Sequence, residues 1–129
     1  MAAGSYPDDL RYHQEHDWAR VRGDEATFGI TWFAQDALGE ISFVDGPEVG
    51  AEVTKDQPYA EIESVKTVSD LVAPLSGAIV EVNDALAATP EAVNRDPYGD
   101  GWLVKVKLSD PSQADSLMSA SQYQARLTS

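Results

Sequence analysis

The chain contains no cysteine among its 129 residues. Disulfide staples, thiolate nucleophiles and Cys-based metal centres are therefore excluded. No apolar run approaches the roughly 20 residues that a membrane helix needs, so no membrane partner is expected. Positive charge is scarce: 9 Lys and Arg stand against 22 Asp and Glu, for a formal net charge of −13. Nucleic acid is a poor partner for such a surface, because a phosphate backbone requires positive charge. An acidic surface instead keeps a small protein soluble and steers it toward basic partner surfaces. Residues 1–10 carry Asp8 and Asp9 and no basic side chain, which fits neither a secretory signal nor an Arg-rich transit peptide. Cytoplasmic residence is the expectation.

What is present suffices for one folded domain. A hydrophobic fraction of 43% is too high for a disordered chain, and the length allows one core but not two. One domain is expected over residues 1–129, with 1–10 a flexible N-terminus and 110–129 a helical tail. Strand-like runs rich in β-branched and aromatic residues occupy 18–22, 26–31, 40–44, 59–63, 68–73, 77–82 and 102–108. Helices are few. Residues 33–38 form one candidate, with Gly39 as a C-terminal stop. Thr89-Pro90-Glu91 reads as a cap with Pro at the first helical position. Asp110 before Pro111 reads as another cap, followed by helix-favouring sequence to about residue 127. The segment 39–45 also echoes 77–83, and Pro58-Tyr59 echoes Pro97-Tyr98. Two related β halves covering each other's apolar face imply a sandwich, so the fold class is mainly β.

Between the halves two strand-like runs meet at Glu61-Ile62-Glu63-Ser64-Val65-Lys66-Thr67-Val68-Ser69-Asp70, with no Gly, Pro or Asn between them. Tight hairpins usually require positive φ, for which β-branched Val65 is ill suited. A type I turn accepts ordinary residues and is expected here. A turn built against hairpin preference implies that side-chain identity matters at the tip. Lys66 there is an accessible acyl acceptor, a long stem on a rigid base. Acylation would remove its charge and take the formal total from −13 to −14.

The string ESVKTVSD at Glu63 to Asp70 resembles the lipoylation motif of glycine cleavage H proteins. The resemblance runs in order over residues 11 to 127. It takes in His16-Asp17-Trp18, Gly29-Ile30-Thr31, Phe33-Ala34-Gln35, Leu38-Gly39 and Pro47-Glu48-Val49-Gly50. It continues through Ala73-Pro74-Leu75-Ser76-Gly77, Glu81-Val82-Asn83, Asp96-Pro97-Tyr98-Gly99 and Gly101-Trp102-Leu103.

The resemblance implies a lipoyl/biotinyl-type barrel-sandwich hybrid of two small antiparallel sheets, with the modified lysine at a hairpin tip. It implies a monomeric, non-catalytic carrier bearing lipoate as N6-lipoyl-lysine on Lys66. Such a carrier shuttles an aminomethyl group from glycine decarboxylase to a tetrahydrofolate-dependent aminomethyltransferase, and electrons to dihydrolipoyl dehydrogenase. A lipoate ligase or lipoyltransferase would attach the arm. Glu63, three before the lysine, and Gly77, eleven after it, are implied as recognition elements for that enzyme. Asp17, Asp70, Glu15 and Trp32 are implied to line a cleft for the loaded arm, where carboxylates would hold the cargo's ammonium and Trp32 an apolar or cation–π wall. Asp17 stands where Glu is more typical, Trp32 where an acidic residue is usual, and Gly46 and Asp56 are atypical.

Other readings are weaker. A biotin carrier places Met on each side of its lysine, whereas Val65 and Thr67 flank this one. A lipoyl domain of a 2-oxo acid dehydrogenase usually has Asp before the lysine and Ala after it. That domain, a lipoyl-relay donor and a regulatory module of the same fold remain as alternatives. His13 and His16 lack the His-Glu-x-x-His spacing of a zinc helix, and no metal site is expected. No nucleophile–base set appears, so no enzyme activity is expected. Gly99 and Gly101 lack the third Gly of a dinucleotide loop and read as turn residues.

Overall fold

The computed structural model describes residues 5–128. Its strands are β1 (Arg11–Tyr12), β2 (Asp17–Arg22), β3 (Glu25–Ile30), β4 (Ile41–Asp45), β5 (Glu52–Val53), β6 (Pro58–Ser64), β7 (Val68–Val72), β8 (Gly77–Val82) and β9 (Val104–Leu108). The helices are α1 (Trp32–Leu38), α2 (Ala92–Arg95) and α3 (Ala120–Thr128). The strands form a six-stranded sheet, β1-β2-β3-β9-β8-β5, and a three-stranded sheet, β4-β6-β7. All pairings are antiparallel. The two sheets are therefore unequal in size, and the echoing segments fall one in each, on β4 and β8.

Alternation explains the layering. Ala26, Phe28 and Ile30 of β3 and Val104, Val106 and Leu108 of β9 point inward, onto Ile41, Ile62 and Leu71 of the smaller sheet. Each of these side chains larger than Ala26 contributes about 1.5–3 kcal/mol on burial. A second apolar cluster, Leu10, Tyr12, Trp18, Ala120 and Tyr123, docks α3 against the outer strands. Of the expected flexible N-terminus, residues 1–4 lie outside the described residues, while Leu10 is buried and Tyr6 packs edge-on to Tyr12 and Tyr123.

Two helix expectations need correction. α2 starts at Ala92 with Glu91 as its cap residue and no side-chain capping bond, so Thr89 does not cap it. Instead, the carbonyls of Thr89 and Pro90 accept from Ala92 N and Val93 N, closing turns before the helix. The tail is not one helix. Asp110 caps a 3-10 turn over Pro111–Ser116. The chain then extends so that Met118 and Tyr12 exchange backbone hydrogen bonds of 2.8 Å each, and α3 follows. Pairing with β1 satisfies backbone groups that a continuous helix would have bonded internally.

Candidate functional site

The smaller sheet carries Lys66 at the β6–β7 hairpin tip. Pairing ends at Glu63 opposite Val68. Ser64 N donates to Thr67 O at 2.8 Å. The Ser64 hydroxyl then accepts from the amides of Lys66 at 3.3 Å and Thr67 at 3.2 Å. A serine oxygen thus takes the place of a backbone acceptor, as in other Ser/Thr turns. No residue of the turn has positive φ, as the absence of Gly and Asn led us to expect. Val65 N donates to Glu40 O at 3.0 Å and ties the tip to the start of β4. Lys66 is exposed, and Val65 beside it is 69% exposed. None of the ion pairs among the described residues uses Lys66, whereas Lys55, Lys105 and Lys107 pair with Asp56, Glu81 and Asp24.

The lysine stem lies over Gly39. A Cβ built on that glycine would stand 3.4 Å from Lys66 Cε and 3.9 Å from Nζ. Gly39 closes α1 at φ 83° and ψ −158°, a region open essentially to glycine alone. Asn94 of α2 secures this corner. Its Oδ1 accepts from Ile41 N at 2.8 Å, and its Nδ2 donates to Gly39 O at 2.8 Å and Gln35 Oε1 at 3.0 Å.

The expected arm-side residues lie in different environments. Asp70 is exposed on β7, directly across from Glu61, which in turn faces Asp45. Glu15 is exposed in the turn before β2. Trp32 begins α1, half-buried, and its backbone N–H donates to Tyr98 Oη at 2.8 Å. Asp17 is only 2% exposed. Burial pushes its carboxyl well above the usual range; the Val72 N–H it accepts opposes the rise and the charge of Glu15 adds to it. Asp17 Oδ2 and Tyr59 Oη are buried without a hydrogen-bond partner among the described residues. Glu63 is exposed beside the tip. Gly77 opens β8, where an added Cβ would run into the Lys107 carbonyl oxygen. The backbone whose approach Gly77 permits is therefore that of its own neighbour β9.

The two histidines flank a turn. His16 has φ 74°, and its N–H returns to His13 O at 3.0 Å. His13 Nδ1 accepts from Glu15 N at 3.0 Å, which leaves Nε2 to donate to Asp56 Oδ1 at 2.6 Å. Asp56, atypical in the sequence comparison, takes φ 72° and accepts this bond. Hydrogen bonding to His13, then to Lys55, holds its carboxyl below the usual range. His16 Nδ1 and Thr31 Oγ1 share the Tyr123 hydroxyl at 2.7 and 2.8 Å. Thr31 also caps α1 by accepting from Ala34 N at 3.2 Å. Its hydroxyl proton is free for Tyr123, whose own proton goes to His16. Burial lowers the His16 pKa, in keeping with an imidazole that accepts there.

Ser64, Asn94 and Tyr123 were not singled out from the sequence. Serine before a glycine-free turn was a usable signal for the first. Asparagine inside a short helix was one for the second, because it is a poor helix former.

The family model for "Glycine cleavage H-protein" matches residues 10–129. The chain is 52% identical over 119 residues to the glycine cleavage system H protein of Symbiobacterium thermophilum, covering 92% of this chain and 93% of that protein. It is 53% identical over 121 residues to that of Geobacillus kaustophilus, covering 94% and 95% respectively. The crystal structure of a glycine cleavage system H protein from Mycobacterium marinum superposes with a TM-score of 0.86 at 40% identity, covering 95% of this chain and 99% of that one. With the match spanning both sheets, the Lys66 hairpin and the C-terminal helix, the chain belongs to the glycine cleavage H-protein family.

Proposed function

We propose that Lys66 bears the lipoyl group of this carrier and that the whole chain acts as one carrier domain presenting it. The role is that of a non-catalytic lipoyl carrier in the glycine cleavage system, as family membership entails. The observation that carries the residue assignment is the contrast among lysines. Lys66 is exposed at a tip, outside every ion pair described, while Lys55, Lys105 and Lys107 each hold a carboxylate. An exposed amine on a four-carbon stem fits amide formation with a carboxylic acid such as lipoate. Once bound, the lipoyl group supplies a disulfide that takes up the one-carbon cargo and passes on electrons.

The chain's own residues hold and guide that arm. The Ser64 turn keeps its base rigid. Glu63 offers the modifying lipoate ligase or lipoyltransferase a charge beside the target, and Gly77 supports recognition through the β8–β9 packing it permits. Asp70, exposed on the strand that leaves the tip, is the first carboxylate to meet the cargo's ammonium. Glu15 and Trp32 complete the cleft. Asp17 joins it from the start of β2, its carboxyl pushed above the usual range by burial.

Family membership entails interaction with the other glycine cleavage components. We assign these as glycine decarboxylase, the aminomethyltransferase and dihydrolipoyl dehydrogenase, met by a cytoplasmic monomer. The 2-oxo acid dehydrogenase and relay readings are not favoured, since every relative described above is an H protein.

Expression with lipoate, followed by intact mass and peptide mapping, tests the assignment. One lipoyl group on Lys66, lost in Lys66→Arg, is expected. Modification of Lys55, Lys105 or Lys107, or its survival in the variant, would overturn it.

A further inference from the structure

We propose that Asn94 is a positioning residue for the carrier lysine. It fixes the backbone platform beneath the Lys66 stem and so sets how the amine is presented to the modifying enzyme. The proposal rests on Lys66 being the lysine that is modified.

The platform is residues 39–41. Asn94 grips it at both ends, through the carbonyl of Gly39 and the amide of Ile41, each at 2.8 Å. Between those ends, Glu40 O accepts Val65 N at 3.0 Å. A series of hydrogen bonds thus runs from α2 through the platform to the residue before the lysine. The second Nδ2 proton goes to Gln35 Oε1 at 3.0 Å, which ties in the last turn of α1. Glycine has many backbone conformations open to it, and the Asn94 bond to the Gly39 carbonyl helps hold the one adopted here. The lysine stem rests on this same residue, with Cε 3.4 Å from where a side chain would begin.

The position of Asn94 favours this role over a merely helical one. α2 has 4 residues and is far too short to be stable through its own helical bonds. Its core contribution comes from Ala92 and Val93, both buried. Asparagine weakens such a helix relative to most residues. An apolar side chain there would leave Ile41 N, Gly39 O and Gln35 Oε1 without this partner.

If the platform loosens, fewer molecules present the tip in the competent arrangement. Apparent affinity for the enzyme then falls in proportion, while the rate at saturation stays the same. The test uses the full-length unmodified chain with lipoate–protein ligase, lipoate and ATP, together with native-state hydrogen exchange. Asn94→Ala removes all three bonds, and Asn94→Asp keeps only the acceptor for Ile41 N. Val93→Ala weakens the same helix through the core while leaving Asn94 in place.

Both Asn94 variants are expected to raise Val65 amide exchange about tenfold. They should raise the half-saturating chain concentration for lipoylation about fivefold, with the saturating rate unchanged. Val93→Ala should lower the thermal midpoint and leave both readouts near wild type. Wild-type exchange and half-saturation in Asn94→Ala would overturn the proposal, as would a Val93→Ala variant that reproduces both changes. Failure of wild type to be modified at Lys66 would remove the Lys66 assignment instead, and Val65 exchange would still decide whether Asn94 holds the platform.

Discussion

Replacing Asp17 with Asn changes one atom group in a carboxyl that is 2% exposed. The expected consequence is a change in how stability depends on pH. Burial raises the Asp17 pKa in the folded chain, with Glu15 adding and the Val72 N–H opposing. In the unfolded chain the group returns to about 3.9. Between those two values the folded state holds the proton and the unfolded state does not. The unfolded state therefore binds fewer protons, and stability falls as pH rises through this window, by up to about 1.4 kcal/mol per pH unit. The proton held by buried Asp17 thus weakens the fold progressively as pH rises above the unfolded value. Asn lacks this slope and still offers an oxygen to Val72 N. Urea unfolding of both proteins at pH 4.5, 5.5, 6.5 and 7.5 checks it (about one unit between points, to resolve the slope). The difference in unfolding free energy should move steadily in favour of Asp17→Asn as pH rises. The other carboxylates and both histidines are common to the two proteins and cancel. The low-pH offset reports how well the amide fits, and the slope reports the proton. Parallel curves with a constant offset would refute the reasoning.

Four further outcomes follow from the geometry. Tyr123→Phe strips the hydroxyl from between His16 and Thr31 and should cost about 1–3 kcal/mol in thermal or urea unfolding; an unchanged midpoint would argue against the shared bond. Gly77→Ala drives a Cβ toward Lys107 O and should cost about 3 kcal/mol, so its lipoylation is interpretable only beside an unfolding curve; wild-type stability would refute the clash. Asp70→Asn should speed formaldehyde release from the loaded arm while leaving unfolding of the unloaded chain unchanged, since Asp70 is exposed; equal release rates would mean that Asp70 does not guard the cargo. Asp45, Glu61 and Asp70 oppose one another across the small sheet, a like-charge arrangement that disfavours the fold and suits a basic partner surface. Asp45→Asn/Glu61→Gln should therefore flatten the salt dependence of association with glycine decarboxylase more than Glu48→Gln/Glu52→Gln, which removes the same charge; equal slopes would assign the effect to net charge alone.

The longer strands were legible because their alternation spans enough residues to define a face. The run 77–82 and β8 coincide, and 68–73 overruns β7 by one residue at Ala73. β1 and β5 have 2 residues each, too few to show any period, and only their partners make them strands. The Lys66 tip was readable from the missing Gly and Asn, but its agent, the Ser64 hydroxyl, acts through bonds that any serine could decline. The burial of Asp17 could not be read from local pattern. Its neighbours Trp18 and Ala19 are also buried, so the start of β2 is covered on both sides and lacks the alternation that would have marked the carboxyl as internal. Tyr123 meets Thr31 across 92 positions, a distance over which local pattern carries no information.

The clasp between the chain's ends sets an order of assembly. The Lys66 hairpin joins neighbours in sequence and can close within microseconds of being made. His16 and Tyr123 are 107 positions apart, and Tyr12 waits likewise for Met118 to complete its backbone pairing. Until α3 has been made, the Thr31 cap of α1 lacks its Tyr123 support. The Lys66 hairpin can thus pair before α3 exists, whereas the α1 cap beside it gains its Tyr123 support only afterwards.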